Sequence, residues 1–85
     1  MEKIRIAIAD DDAGMRMVVR KLIERADDYA LVGEAENGEE LLALFEKARP
    51  EVVFMDVEMP GMSGVECARL IQDKNPKTIM VFVTA

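Results

Sequence analysis

The sequence predicts an α/β fold built around a parallel sheet. Four apolar segments alternate with segments in which apolar residues recur at helical spacing. The helical segments are about ten residues long, which suits the crossovers that join parallel strands. The strand segments are apolar at most positions, as expected when helices cover both faces of a sheet. Together these observations favour repeated strand–helix units in one small domain.

The first strand is predicted at Ile4–Ala9, and the first helix at about 13–26. Asp12 stands just before this helix, where a carboxylate can accept hydrogen bonds from the free backbone N–H groups of the first turn. The apolar residues of the helix follow the i, i+3, i+4, i+7 spacing of a single buried face. We expect that face to contain Met15, Val18, Val19, Leu22, Ile23 and Ala26.

A short second strand is predicted at 29–34, and the second helix at Gly38–Ala48. Asn37 precedes the helix, and Glu40 stands three residues later, the spacing of a capping box. Pro50 follows the end of the helix, where the chain cannot continue in helical form. The residues expected to be buried are Leu41, Leu44, Phe45 and Ala48.

The third strand is predicted at 51–56, the third helix at Gly64–Lys74 and the fourth strand at 78–84. Three residues of this helix, Val65, Ala68 and Ile71, are expected to point inward. Asn and Pro at positions 75 and 76 end the helix, because proline lacks the backbone N–H that a helix needs.

The loop between the third strand and the third helix reads M-P-G-M-S-G. Pro60, Gly61 and Gly64 are interpreted as turn residues that place this loop around Asp56. Ser63 can cap the helix, with a glutamate three residues later completing a second capping box.

Composition excludes several classes of function. The 85 residues suffice for one small domain, and 51% of them are hydrophobic, which is enough for a core. A net charge of −6 argues against direct nucleic-acid binding, because phosphates would be repelled. A single cysteine, Cys67, and no histidine exclude an internal disulfide and a Ser/His/Asp triad, and disfavour zinc. No membrane helix or signal peptide is apparent, so we expect a cytoplasmic protein.

Acidic residues follow two of the predicted strands. Asp10, Asp11 and Asp12 end the first, and Asp56 ends the third. If these strands are neighbours, the acids at 10, 11 and 56 converge, and their mutual repulsion costs stability unless a cation compensates the charge. Mg²⁺ suits such a site, because it binds carboxylates and keeps positions open for phosphate oxygens. The alternative is that the acids at 10–12 only form a turn and cap a helix.

Four segments taken in order carry a resemblance. I-A-I-A-D-D-D, V-G-E-A-E-N-G-E-E, F-M-D-V-E-M-P-G-M-S-G and V-F-V-T-A resemble the receiver domain of two-component response regulators. The resemblance covers the whole of this sequence, which corresponds to roughly the N-terminal two-thirds of a receiver. There is also a fainter likeness to the receivers of LytTR-type regulators. It implies a flavodoxin-like, doubly wound parallel sheet in strand order 2-1-3-4. Residues 1–85 would then be a C-terminally truncated receiver without its last strand and last two helices.

The resemblance also implies a role for each site residue. Asp56 would accept a phosphoryl group from a phosphohistidine on a sensor histidine kinase or a phosphotransfer protein. Asp11 and Asp56 would bind Mg²⁺ directly, and Asp10 through water. Glu58 would bind the ion through its backbone carbonyl. Thr84 would hydrogen-bond a phosphoryl oxygen and move toward it on phosphorylation.

Further expectations concern the last strand and the last two helices of a receiver, which residues 1–85 do not match. In receivers, a lysine that pairs with the phosphoryl oxygens follows the region that this sequence matches, and no residue of this sequence can be assigned to it. We therefore expect Mg²⁺ and the phosphoryl group to bind more weakly to residues 1–85 than to a receiver that has the lysine. The last strand should present an apolar edge that favours a homo-oligomer or a domain swap. One alternative function is therefore a phosphorylation-incompetent assembly module. A more distant alternative function is that of a haloacid-dehalogenase-like phosphohydrolase, which would use Asp10 and Asp12. As a receiver, the chain is not expected to be a classical enzyme.

Overall fold

The computed structural model describes residues 2–83, in which strands and helices alternate. The elements are β1 (Ile4–Ala9), α1 (Ala13–Glu24), β2 (Tyr29–Ala35), α2 (Gly38–Ala48), β3 (Val52–Asp56), α3 (Gly64–Lys74) and β4 (Ile79–Val83). All strand pairs are parallel, and the order β2-β1-β3-β4 confirms the predicted sheet. None of the helices in this part of the chain is long and apolar enough to cross a membrane. The prediction for Thr84 lies outside the described residues.

Helices cover both faces of the sheet, which explains why the strands are apolar nearly throughout. Ile6 and Ile8 of β1 pack on one face against Ile23 of α1. The alternate residues of β1 point to the other face, where α2 and α3 pack against the sheet. That larger core cluster comprises Ala7, Ala9, Ala35, Leu41, Phe45, Val53, Met55, Met59, Cys67, Ala68 and Ile71.

The buried face of α1 is narrower than its sequence pattern predicts. Ile23 is buried and Val19 packs against it, as expected. The prediction was wrong for Val18 and Leu22, which are 55% and 60% exposed. The helix packs on β1 and β2, so these two side chains lie on a flank that no described element covers.

One residue of α3 that the sequence pattern predicts to point inward is exposed, so that prediction was wrong. Val65 is 53% exposed, whereas Ala68 and Ile71 are buried as expected. The buried stripe begins at Gly64 and continues at i+3, i+4 and i+7, so position 65 lies off it. Val65 and Phe82 instead border an open groove between α3 and β4.

Hydrogen bonds explain where element boundaries differ from the predictions. The helix α1 ends at Glu24 because the Ala26 N–H bonds the Ile23 carbonyl only three residues back (3.1 Å), which closes a turn. The strand β4 begins one residue later than predicted because the Thr78 N–H donates to the preceding turn, at the Asn75 carbonyl (3.1 Å). Differences at β2 and β3 are a single residue.

The predicted cap side chains accept backbone N–H groups, but within residues 2–83 neither glutamate of the two predicted capping boxes, at positions 40 and 66, accepts from the N–H of its cap residue. The Asp12 carboxylate accepts from the backbone at the start of α1, and the Asn37 and Ser63 side chains do so at α2 and α3. Glu40 does not complete the predicted box with the Asn37 N–H. Its carboxylate accepts from the Glu36 N–H at 2.9 Å, one residue earlier, which ties the end of the β2–α2 loop to the helix.

Candidate functional site

The acids after β1 and β3 meet at the carboxyl edge of the sheet. Ala9 pairs with Met55 in the parallel register, so Asp10 and Asp56 follow on adjacent strands. One carboxylate oxygen each from Asp10, Asp11 and Asp56 can be chosen so that all lie within 4.8 Å of one another. The structure therefore brings together the three side chains that sequence reasoning assigned to a metal site.

These carboxylates open into a cavity of about 270 Å³. The cavity combines an acidic floor with two apolar walls, Met15 from α1 and Val83 from β4. No lysine or arginine within residues 2–83 lines it. A small ligand entering from solvent would therefore meet negative charge that only a cation can compensate.

Asp10 is the most buried of the three clustered acids. Its side chain is buried, with 7% of the residue exposed. Burial raises the pKa of Asp10, and the charges of Asp56, Asp11 and Asp12 raise it further. The Asp12 N–H, which donates to Asp10 Oδ1 at 2.9 Å, opposes these effects. The ionised form of Asp10 is thus costly by itself, and a bound cation would relieve that cost.

Asp56 is half-buried, and the loop that follows it holds its side chain. The Glu58 N–H donates to Asp56 Oδ1 at 3.1 Å, which fixes one carboxylate oxygen. Glu58 itself is exposed, and its role as a ligand through the backbone carbonyl stays a prediction. Thr84 lies outside the described residues, and the residue before it, Val83, lines the cavity.

Gly64 has a structural role that the sequence did not reveal. Its N–H donates to the Val57 carbonyl at 2.9 Å, which brings the start of α3 against the end of β3. A Cβ atom at this position would lie 2.3 Å from the Asp56 carbonyl oxygen. The sequence indicates only a turn residue at this position, whereas the structure shows a glycine at the start of a helix that allows a close approach of two backbone segments.

Comparison with known proteins agrees with this arrangement. The family model described as "Response regulator receiver domain" matches residues 6–85. The chain is 40% identical to the uncharacterized transcriptional regulatory protein YxjL of Bacillus subtilis, covering 98% of this chain and 38% of that protein. It is 38% identical to the sensory transduction protein LytT of Oceanobacillus iheyensis, covering 98% of this chain and 35% of that protein. The chain therefore spans well under half the length of these curated relatives.

A solved structure shows the same fold. The response regulator domain of Thermotoga maritima CheB is 37% identical to the chain and superposes with a TM-score of 0.91. The match covers 98% of this chain and 61% of that one. With the family model matching nearly the whole sequence, and with the strand order and acidic edge described above, the chain belongs to the response regulator receiver domain family.

Proposed function

We propose that Asp56 is the phosphoacceptor of a two-component signalling pathway in the cytoplasm. The observation that carries the proposal is the position of Asp56, at the carboxyl end of a central strand and inside the cluster of acids. Membership of the receiver family supports a sensor histidine kinase or a phosphotransfer protein as the donor. In this role the chain accepts a phosphoryl group and is not a classical enzyme.

The transfer uses the Asp56 carboxylate as a nucleophile. Oδ1 is held by the Glu58 N–H, which leaves Oδ2 free to attack the phosphorus of a phosphohistidine. As the new O–P bond forms, the P–N bond breaks, and the imidazole leaves with the electron pair and takes up a proton. The product is an acyl phosphate on Asp56.

We further propose that the acid cluster holds Mg²⁺, and the donor set fits this ion. Asp11 and Asp56 would bind it directly, Asp10 through water and Glu58 through its backbone carbonyl. Oxygens bound to one Mg²⁺ are at most about 4.2 Å apart, twice the usual Mg–O distance. The three carboxylates each offer an oxygen within 4.8 Å of the other two, a spread of the same order, so these oxygens and water could together surround one ion. When bound, the ion neutralises negative charge on the phosphoryl oxygens.

Thr84 is proposed to hydrogen-bond a phosphoryl oxygen on Asp56. The support is its place in the chain, directly after Val83, which lines the cavity and pairs with Asp56 in the register of β3 and β4. A hydroxyl at that position would sense phosphorylation by moving toward the new charge.

The experiment is phosphorylation with acetyl phosphate and Mg²⁺, followed by intact-mass and peptide mass spectrometry. We expect one phosphoryl group on Asp56 in the wild type and none in Asp56→Asn. Asp27→Asn is the matched control, because Asp27 is an exposed acid in the turn between α1 and β2, away from the site. Equal labelling of Asp56→Asn and wild type would contradict the proposal. Loss of acetyl phosphate turnover in Asp10→Asn but not in Asp56→Asn would favour the phosphohydrolase instead.

A second candidate function, assembly through β4, has its own supporting observation. Within residues 2–83, β4 pairs only with β3, and its Ile79 and Phe82 side chains are 57% and 42% exposed. An apolar strand with a free edge can pair with another chain, as an edge-paired dimer or a domain swap. Light scattering tests this: we expect a dimer that Ile79→Lys dissociates. A monomeric wild type at high concentration would exclude this function.

A further inference from the structure

Arg16 is a nearly buried cation beside the acidic site, and the transfer chemistry above does not use it. Its side chain is only 14% exposed, although it belongs to the surface helix α1. Its Nη1 donates to the backbone carbonyl of Asp10 at 2.6 Å. An arginine loses hydration when buried, so such a position requires several compensating partners.

The remaining nitrogens of Arg16 bind the β2 side of the fold. Nε lies 3.5 Å from a carboxylate oxygen of Glu34, and Nη2 lies 3.5 Å from one of Glu36. Glu34 is held in turn by Arg20, one turn along α1, at 2.8 Å. One planar guanidinium therefore connects the end of β1, the end of β2 and the loop that follows it.

The peptide that Arg16 contacts determines where two of the site's carboxylates point. The Asp10 N–H donates to the Ala35 carbonyl of β2 at 3.0 Å. With its carbonyl held by Arg16, the backbone of Asp10 is fixed on both sides. The peptide that carries this carbonyl joins Asp10 to Asp11, so its rotation would redirect both side chains.

We propose that Arg16 is a positioning residue that fixes the peptide between Asp10 and Asp11 and so aims their carboxylates at the cation. The inference rests on the proposed Mg²⁺ site and adds to it a residue outside the ligand set. The positive charge of Arg16 is compensated by Glu34 and Glu36, so the guanidinium is not needed to neutralise the acid cluster itself.

Electrostatics and positioning predict opposite effects when Arg16 is replaced by glutamine. Removing a positive charge close to a cation site should by itself strengthen Mg²⁺ binding. Releasing the peptide between Asp10 and Asp11 should weaken it, by about tenfold, as is usual for residues that orient metal ligands. The sign of the change therefore separates the two roles.

The experiment compares Arg16→Gln, Arg16→Lys and Arg20→Gln with the wild-type chain. Arg20→Gln is the matched control, because Arg20 belongs to the same helix, carries the same charge and also contacts Glu34. Mg²⁺ affinity is measured by NMR titration, and the carbonyl ¹³C resonance of Asp10 is measured without the ion. Circular dichroism establishes that each variant is folded.

We expect Arg16→Gln to bind Mg²⁺ about tenfold more weakly and to shift the Asp10 carbonyl resonance upfield as its hydrogen bond is lost. Arg16→Lys should recover part of both losses, and Arg20→Gln should show neither. Unchanged or tighter binding by a folded Arg16→Gln would overturn the inference, as would an unchanged Asp10 carbonyl resonance. If the wild type binds no Mg²⁺, the proposed metal site fails, and the carbonyl resonance still decides whether Arg16 holds this peptide.

Discussion

Replacing Gly64 with alanine tests how closely α3 must approach the strand that carries Asp56. A Cβ atom at position 64 would lie 2.3 Å from the Asp56 carbonyl oxygen and 3.1 Å from the Val57 Cα, both of them backbone atoms. Real Cβ atoms essentially never come closer than 3.0 Å to such neighbours. The helix and the strand must therefore separate by at least 0.7 Å, the difference between 3.0 and 2.3 Å.

A matched control isolates this clash from the helix preference of alanine. Overpacking costs about 1–3 kcal/mol, while alanine is about 0.5–1 kcal/mol better than glycine within a helix. Gly38 is also buried and is also the first residue of a helix, α2. A Cβ there would lie 3.1 Å from the Met62 Cβ and 3.4 Å from its Cγ and Sδ, which is a tight side-chain contact and not the backbone overlap found at position 64. The helix preference is common to both variants, so it cancels when they are compared.

We expect the free energy of unfolding of Gly64→Ala to be about 1–3 kcal/mol lower than that of Gly38→Ala. The corresponding difference in Tm is roughly 10 °C for a domain of this size. Urea denaturation followed by circular dichroism gives the first quantity, and calorimetry gives the second. Equal stability of the two variants would refute the reasoning that Gly64 is required by backbone contact.

Three further predictions concern single side chains. Asp10→Asn should raise the Tm at pH 7 without Mg²⁺, because burial raises the pKa of Asp10 and makes its ionised form unfavourable in the folded chain. This gain in Tm should disappear below pH 3.8, where Asp10 is protonated in both the folded and the unfolded chain. Burial raises the pKa of Cys67 from 9.0 to about 11, so the unfolded chain ionises first and the free energy of unfolding should fall between these pH values. Cys67→Ser should lack that loss in a urea titration, and an identical pH profile would contradict it. Asn37→Ala should lower the free energy of unfolding by about 1 kcal/mol through loss of the α2 cap, and no change in the urea midpoint would exclude this role.

Much of the fold could be predicted because each apolar run ends at a recognisable signal. The acids after β1 and β3 mark the carboxyl ends of two strands, and parallel strands bring such ends to one edge. The strand order, however, came from the resemblance to receivers, because alternation of strands and helices does not determine which strands are neighbours. The same limit applies to the convergence of Asp10, Asp11 and Asp56, which depends on that order.

The errors arose where a one-dimensional pattern leaves the packing partner unspecified. Helical periodicity indicates which residues share a face, but Val18 and Leu22 are exposed because α1 packs mainly through Val19 and Ile23. The role of Arg16 was not apparent either, since an arginine in a helix usually extends into solvent. Its contact with the Asp10 carbonyl depends on how α1 lies across the sheet, which no local pattern describes.

An NMR titration with Mg²⁺ and beryllofluoride, a mimic of the phosphoryl group, tests the central claim most directly. If Asp56 is a phosphoacceptor beside a Mg²⁺ site, the two additions together should shift the amide resonances of Asp10, Asp11, Asp56 and Glu58 to a saturating end point. Asp56→Asn should lose the response to beryllofluoride. A wild-type spectrum that stays unchanged at these residues, in a chain that is otherwise folded, would contradict the account and favour the assembly module.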